Sequence, residues 1–137
     1  MCAAKWARPW LRKTGLDMTG NRKIYRQRRH ERIRKRVSGT SECPRFSIMI
    51  SNKNMYVQFI DDERGLTLAA VSTAAGNNRT NIATAKLIGQ SAAEAALSKG
   101  IKKAVVDRGG YKFHGRLKAI VDALNAAGVL TGAKEAK

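Results

Sequence analysis

The sequence predicts an α+β fold (mixed α/β): an antiparallel three-strand meander followed by α-β-α, helices packed on a mixed sheet, with a basic N-terminal extension. Three observations carry this. β-rich runs separated by turn residues fill positions 45–72, and two later stretches repeat apolar residues at three- and four-residue steps. Positive charge, finally, is concentrated in the first third. Over 137 residues, 27 lysines and arginines face 10 acids, a formal net charge of +17, while 43% hydrophobic residues suffice for one core.

The elements follow in order. Residues 1–20, with Trp6, Pro9, Trp10, Gly15 and Gly20, read as a poorly ordered leader; they hold no continuous apolar run, so they do not resemble a secretory signal. Residues 21–43 form a basic arm and linker. Its first part is helix-competent but charge-repelled, which predicts a helix stable mainly when bound, and 37–44 (VSGTSECP) carries turn chemistry. The globular domain is expected over 44–130. Residues 45–51 (RFSIMIS) and 54–62 (NMYVQFIDD) form a hairpin around Asn52 and Lys53, and a turn at 62–65 leads into a third strand at 66–72.

After a small polar loop at 74–78, Ile82, Ala85, Ile88, Ala92, Ala95 and Ala96 mark one face of a helix running from about Thr80 to Lys99. Gly89 inside it suggests close approach to the sheet, and Gly100 supplies the stop. A buried strand is expected over 101–106, a glycine-rich loop over 108–115 and a second amphipathic helix over 116–127 through Leu117, Ile120, Val121 and Leu124. The tail, 131–137, decays into small and charged residues.

Charge narrows the function. Residues 1–45 hold 14 basic residues against 3 acidic, a net of +11, and positions 22–36 alone hold 9 basic residues with Glu31 the sole acid. Such density destabilises a compact free state and calls for a counter-charge. Nucleic-acid phosphate supplies one, with counterion release as the driving force. A membrane-surface helix would need a bulky apolar face, and the arm offers only Ile24, Tyr25, Ile33 and Val37. A solvated tail is the bland alternative. Arginine outnumbers lysine seven to two in this run, and its planar fork suits phosphate and base stacking.

Catalytic and metal motifs are missing. Cys2 and Cys43 make no CxxC or Cys/His cluster, and His30 and His114 are isolated. No phosphate-binding G-x-x-x-x-G-K-[ST] or dinucleotide G-x-G-x-x-G occurs, and Ser91 lacks the surroundings of a nucleophile elbow. The topology suggests a ribonuclease-H-like nuclease, but that chemistry wants a carboxylate in the first strand, where RFSIMIS has none. Asp107 reads instead as an acceptor for backbone N–H groups of the glycine loop. No cofactor, metal or small-molecule substrate is expected. A sequence-nonspecific nucleic-acid-compacting protein remains the alternative of a different class.

The loop DRGGYKFHGR (107–116) concentrates information a second time. Its glycines permit positive φ, while Arg108, Lys112, His114 and Arg116 alternate with Tyr111 and Phe113. Cations and aromatics on a loop between strand and helix suit phosphate contact and base or ribose stacking.

Taken together, RKIYRQRRHERIRKRVSGT (22–40), PRFSIMISNKNMYVQFIDD (44–62) and DRGGYKFHGR (107–116) resemble the bacterial-type large-subunit ribosomal protein number eighteen, collinearly over 21–129. The resemblance implies a 5S-rRNA-binding protein of the central protuberance that helps tie 5S rRNA to the large-subunit rRNA. Its expected neighbours include ribosomal protein number five, and its expected location is the cytoplasmic ribosome, an organellar one being possible. It implies an arm that is flexible when free, contacting RNA through Arg22, Lys23, Arg26, Arg28, Arg29, His30, Arg32, Arg34, Lys35 and Arg36, then Ser38, Gly39, Thr40 and Arg45. From the sheet it implies Ser51, Asn52, Lys53, Asn54, Tyr56 and Gln58, and from the loop Arg108, Gly109, Gly110, Tyr111, Lys112, His114, Gly115 and Arg116. Tyr56 and Gln58 alternate with Met55, Val57 and Phe59, which independently sets them opposite the core. Ile50 stands where the family often has arginine and Phe113 where tyrosine is common.

Overall fold

The computed structural model describes residues 22–74, 76 and 80–131. The expected leader, the end of the tail and most of the loop before the long helix lie outside them. The elements are α1 (Arg22–Arg34), β1 (Arg45–Ile50), β2 (Met55–Asp61), β3 (Leu66–Ser72), α2 (Ile82–Ser98), β4 (Lys103–Asp107), α3 (Arg116–Ala126) and a short β5 (Leu130–Thr131). The strand order is β3-β2-β1-β4-β5. β1–β2 and β2–β3 pair antiparallel, whereas β4 lies parallel to β1 and β5 parallel to β4. The sheet is therefore mixed, as the sequence predicts, with the meander on one side and the helix-connected strands on the other.

Alternation along the strands decides the two faces. Phe46 and Ile48 of β1 and Met55, Val57 and Phe59 of β2 are buried against α2 and α3, and the rings of Phe46 and Phe59 meet at 4.8 Å. Alanines of α2 (Ala85, Ala92, Ala93 and Ala96) let that helix lie close, and Leu117, Ile120 and Leu124 of α3 complete the core. Gly89 corrects one expectation. A Cβ there would stand 2.7 Å from the Ile120 carbonyl oxygen and 2.8 Å from Ala123 Cβ, so the glycine serves contact between α2 and α3, not between helix and sheet.

Both core helices end alike. After α2, the Gly100 N–H donates to Leu97 O and the Ile101 N–H to Ala96 O; after α3, the Gly128 N–H donates to Asn125 O and the Val129 N–H to Leu124 O. Each glycine takes positive φ, and the apolar residue behind it, Ile101 or Val129, turns into the core. The second such turn explains β5, which the sequence reading placed at the junction with a decaying tail. Val129 anchors the chain beside β4, and two residues then pair with it.

α1 is the helix the sequence predicts in the basic arm, and its contacts with the domain are at the end of β4 and in the loop that follows it. The segment after it is also held: the Gly39 N–H donates to Asp62 Oδ2 at 2.8 Å, and the Asp62 N–H donates to Gly39 O at 3.1 Å.

Candidate nucleic-acid interface

The site is organised by one buried arginine and one buried carboxylate. Arg45 opens β1 on the face away from α2 and α3. Its Nε and Nη2 donate to the two oxygens of Asp62 at 2.8 and 2.6 Å, and its Nη1 donates to Asp107 Oδ2 at 3.1 Å. The forked guanidinium thus ties the end of β2 to the end of β4. Asp62 is held down to about 2, chiefly by its hydrogen bonds from Arg45, helped by the Gly39 N–H and the charges of Arg45 and Arg34. Arg45 is raised above its usual value, chiefly by the bond to Asp62, against the opposing effect of burial.

Arg45 is an internal cross-link: its side chain is 8% exposed and each of its three guanidinium nitrogens donates to a carboxylate. Gly39 is enclosed as well. It is buried, and a Cβ there would collide with Ile60 O and the Arg45 backbone nitrogen.

Asp107, fully buried, accepts the Gly109 N–H through Oδ1 at 2.9 Å, which is the role the sequence assigns it. Its other oxygen stands near three side chains, two arginines and a histidine. Besides Arg45, His30 Nε2 and Arg34 Nε of α1 each lie 3.6 Å away. Toward the helix start, Arg29 Nε donates to Gly110 O at 3.0 Å, and Arg26 Nη1 donates to the Tyr111 hydroxyl at 2.6 Å with its guanidinium 4.8 Å from the ring centroid. The same hydroxyl donates to Ile50 O at 2.8 Å. Gly110 permits this approach: it has φ of +79°, and a Cβ would run into the Arg26 carbonyl oxygen.

Helical spacing accounts for the split in the arm. Positions 26, 29, 30 and 34 share a face at three- and four-residue steps and meet the domain. Arg28 and Arg32, continued by Lys35, lie on the opposite side and are exposed, as are Arg22, Lys23 and Arg36. Arg28 stands 5.9 Å from the Tyr25 ring.

The other predicted residues fall in two groups beside α1. On the sheet face, Ser47 and Met49 of β1 pair in register with Gln58 and Tyr56 of β2, and Tyr56 and Gln58 in turn with Ser72 and Ala70 of β3. Gln58 is exposed, Tyr56 half-buried and Met49 54% exposed. Met49 was missed as a site residue, although alternation with Ile48 and Ile50 sets it on this face. Ser51, Asn52 and Lys53 are exposed at the hairpin tip, where Ser51 Oγ donates to Asn54 O and accepts the Asn54 N–H, both at 2.8 Å. Thr80 Oγ1 donates to Asn52 O and Arg116 Nη1 donates to Thr80 O, so tip, loop and α3 start are linked.

In the glycine loop, Lys112, Phe113, His114 and Gly115 are exposed, whereas Arg108, Gly109 and Tyr111 are partly covered and Gly110 is buried. Arg108 Nη1 donates to Tyr111 O at 3.4 Å. Ser38 is exposed, and Thr40 is turned inward on Cys43, whose N–H donates to its Oγ1 at 3.2 Å. Ile50, where arginine is frequent in the resembled family, is half-buried against the core. Among the described residues, no group of three His, Cys, Asp or Glu side chains stands together as a metal site, and no helix is long and apolar enough to cross a membrane.

What this arrangement offers a polyanion is an exposed arginine row on the outer side of α1, a loop with exposed Lys112, Phe113 and His114, and exposed Gln58 and Met49 on the sheet. Comparison with known proteins agrees with that surface. The family model for ribosomal L18 of archaea, bacteria, mitochondria and chloroplasts matches residues 20–130. The chain is 50% identical over 110 residues to large ribosomal subunit protein uL18 of Acidobacterium capsulatum, covering 79% of this chain and 93% of that protein. It is 49% identical over 115 residues to the protein of the same name from Pseudothermotoga lettingae (80% and 94%), and 49% identical over 111 residues to that of Thermomicrobium roseum (76% and 90%). These relatives are structural ribosomal proteins, so the cationic surface belongs to a ribonucleoprotein component acting in translation. The chain belongs to the ribosomal L18 family, and is thus a bacterial-type protein of the large subunit of the cytoplasmic ribosome.

Proposed function

We propose that this protein binds 5S rRNA and helps attach it to the large-subunit rRNA in the central protuberance, beside neighbouring proteins that include number five. The observation that carries the reading is the presence of three exposed surfaces of different character. The exposed row of α1 offers phosphate contacts, the loop around Lys112, Phe113 and His114 offers cations with a 48% exposed ring, and the sheet face offers Gln58, Tyr56 and Met49. Non-specific neutralisation needs only the first. A flat polar face flanked by cations suits the wide, shallow minor groove of A-form RNA and its ribose hydroxyls.

The test is binding of the full chain to 5S rRNA against excess unrelated structured RNA at about 0.15 M salt, where exposed charges are screened beyond roughly 8 Å. Survival of the complex supports the proposal, whereas stripping by any RNA favours charge-driven compaction. With about 6–10 phosphates met, log K falls against log salt with a slope of roughly −4 to −9. His114→Ala and Lys112→Ala are expected to weaken 5S binding more than binding to random duplex, and equal losses on both would favour the non-specific reading.

A further inference from the structure

We infer that Thr80 and Tyr111 are positioning residues that join the hairpin tip and the glycine loop into one RNA-facing body. The inference rests on the RNA-binding reading above and gives it a condition. Lys53 on the tip and Lys112, Phe113 and His114 on the loop are exposed, and they read the shape of an RNA only if their separation is fixed. Thr80 and Tyr111 act through those residues.

Three hydrogen bonds close a circuit. The Tyr111 hydroxyl donates to Ile50 O at 2.8 Å, directly before the tip, and Thr80 Oγ1 donates to Asn52 O at 3.0 Å, within it. The exposed stretch 112–115 runs from Tyr111 to Arg116, and Arg116 Nη1 donates to Thr80 O at 3.1 Å. Tip and loop are thus each held at two points by the same pair of residues. Both of these are anchored in the domain. Tyr111 packs against the core, and the chain before it follows β1: Asp107 is in register with Ser47, and a Cβ on Gly109 would stand 3.2 Å from Ile48 O. Thr80 directly precedes Asn81, the N-cap of α2, whose side chain accepts the Thr84 N–H at 2.8 Å. The bonds between Ser51 and Asn54 shape the turn of the tip but do not set its bearing on the loop.

Charge-driven binding is indifferent to this circuit, because counterion release depends on how many phosphates are neutralised and not on how rigidly the cations are spaced. Shape recognition depends on it. A tip freed from Thr80 gains conformations that binding must freeze again, and that cost falls on the RNA whose shape is being matched. The two kinds of binding therefore respond differently to the loss of one hydroxyl that carries no charge.

Affinity of the full chain for 5S rRNA and for random duplex RNA tests this. Thr80→Val puts a methyl in place of Oγ1 and keeps the carbonyl that accepts from Arg116, whereas Thr80→Ser keeps the hydroxyl. Thr80→Val is expected to weaken 5S binding about three- to tenfold, as the loss of one hydrogen bond does, with duplex binding within about twofold and the salt slope unchanged. Thr80→Ser should restore most of that loss. Tyr111→Phe keeps the ring in place and should behave as Thr80→Val does; because its hydroxyl also accepts from Arg26, it is compared in chains that already carry Arg26→Ala. Undiminished 5S affinity in Thr80→Val, an equal loss on both RNAs, or failure of Thr80→Ser to restore binding would overturn the inference while the unaltered chain still prefers 5S rRNA. So would lower thermal stability with the preference intact, which marks a merely structural role. If the unaltered chain shows no preference for 5S rRNA, the RNA reading itself has failed and the inference falls with it.

Discussion

Two arginine environments lie a few residues apart in this chain and behave oppositely. Arg45 is enclosed, and each of its three guanidinium nitrogens donates to one of two carboxylates. Arg28 and Arg32, a short way back along the sequence, stand in solvent on the outer side of α1. Composition treats these residues alike, and a count of cations would assign all of them to RNA. What separates them is whether an acid of the same chain reaches them. Asp62 and Asp107, lying at the ends of β2 and β4, serve one region and leave the other with uncompensated charge. A strongly basic protein therefore divides its cations between internal cross-links and the outward surface, and the second set alone stands open to a polyanion.

The sharpest way to break this contrast is Arg45→Ala. Removing one member of a buried ion cluster strands Asp107, and stability is expected to fall by about 3–5 kcal/mol in urea unfolding of the full chain. The salt slope of RNA binding by the folded fraction should not change; a reduced slope would return Arg45 to the RNA surface. Next in size is Gly39→Ala. Its new Cβ meets backbone on β1 and β2, a displacement expected to cost about 1–3 kcal/mol by the same measurement.

Acid should weaken the enclosed region alone. Asp62 has a folded pKa of about 2 against an ordinary 3.8, so its contribution is complete above about pH 4 and is lost as pH falls from there toward 2. Comparing thermal unfolding of the unaltered chain and Asp62→Asn across that window should show the two curves converging at the acid end. The smallest stability effect belongs to Arg28→Ala with Arg32→Ala, within about 0.5 kcal/mol of the parent. Yet those two changes should reduce the magnitude of the salt slope by about 1.4–1.8, at 0.7–0.9 per phosphate contact. A large stability loss from them, with no change in slope, would invert the comparison.

How far the sequence could reach follows from the distance over which each feature is determined. The meander was legible because its information is local. Alternation in NMYVQFIDD sets Met55, Val57 and Phe59 inward, and Asn52 with Lys53 marks the turn. Gly100 announced the end of α2 for the same reason. By contrast, the partners of Arg45 lie 17 and 62 positions away, and no periodicity connects them. Gly89 announced a close approach but not its partner, since α2 meets both the sheet and α3. The contacts of α1 with the domain involve a loop 81 to 85 positions distant, which no local pattern in the arm announces. Asp107 is legible as a cap for its loop, whereas His30, Arg34 and Arg45, which surround its second oxygen, lie 62 to 77 positions away in the chain.

The two places where α1 touches the domain have a geometric consequence. One lies at Arg26 and Arg29, the other at His30 and Arg34; their centres are about 7 Å apart along the axis at 1.5 Å per residue. Two such anchorages define a direction as well as a location. A slack of about 1 Å at either one tilts the helix by about 8° over that span. The domain thus sets a bearing for the outer row of cations, and an RNA strand that follows this row must run along the same line.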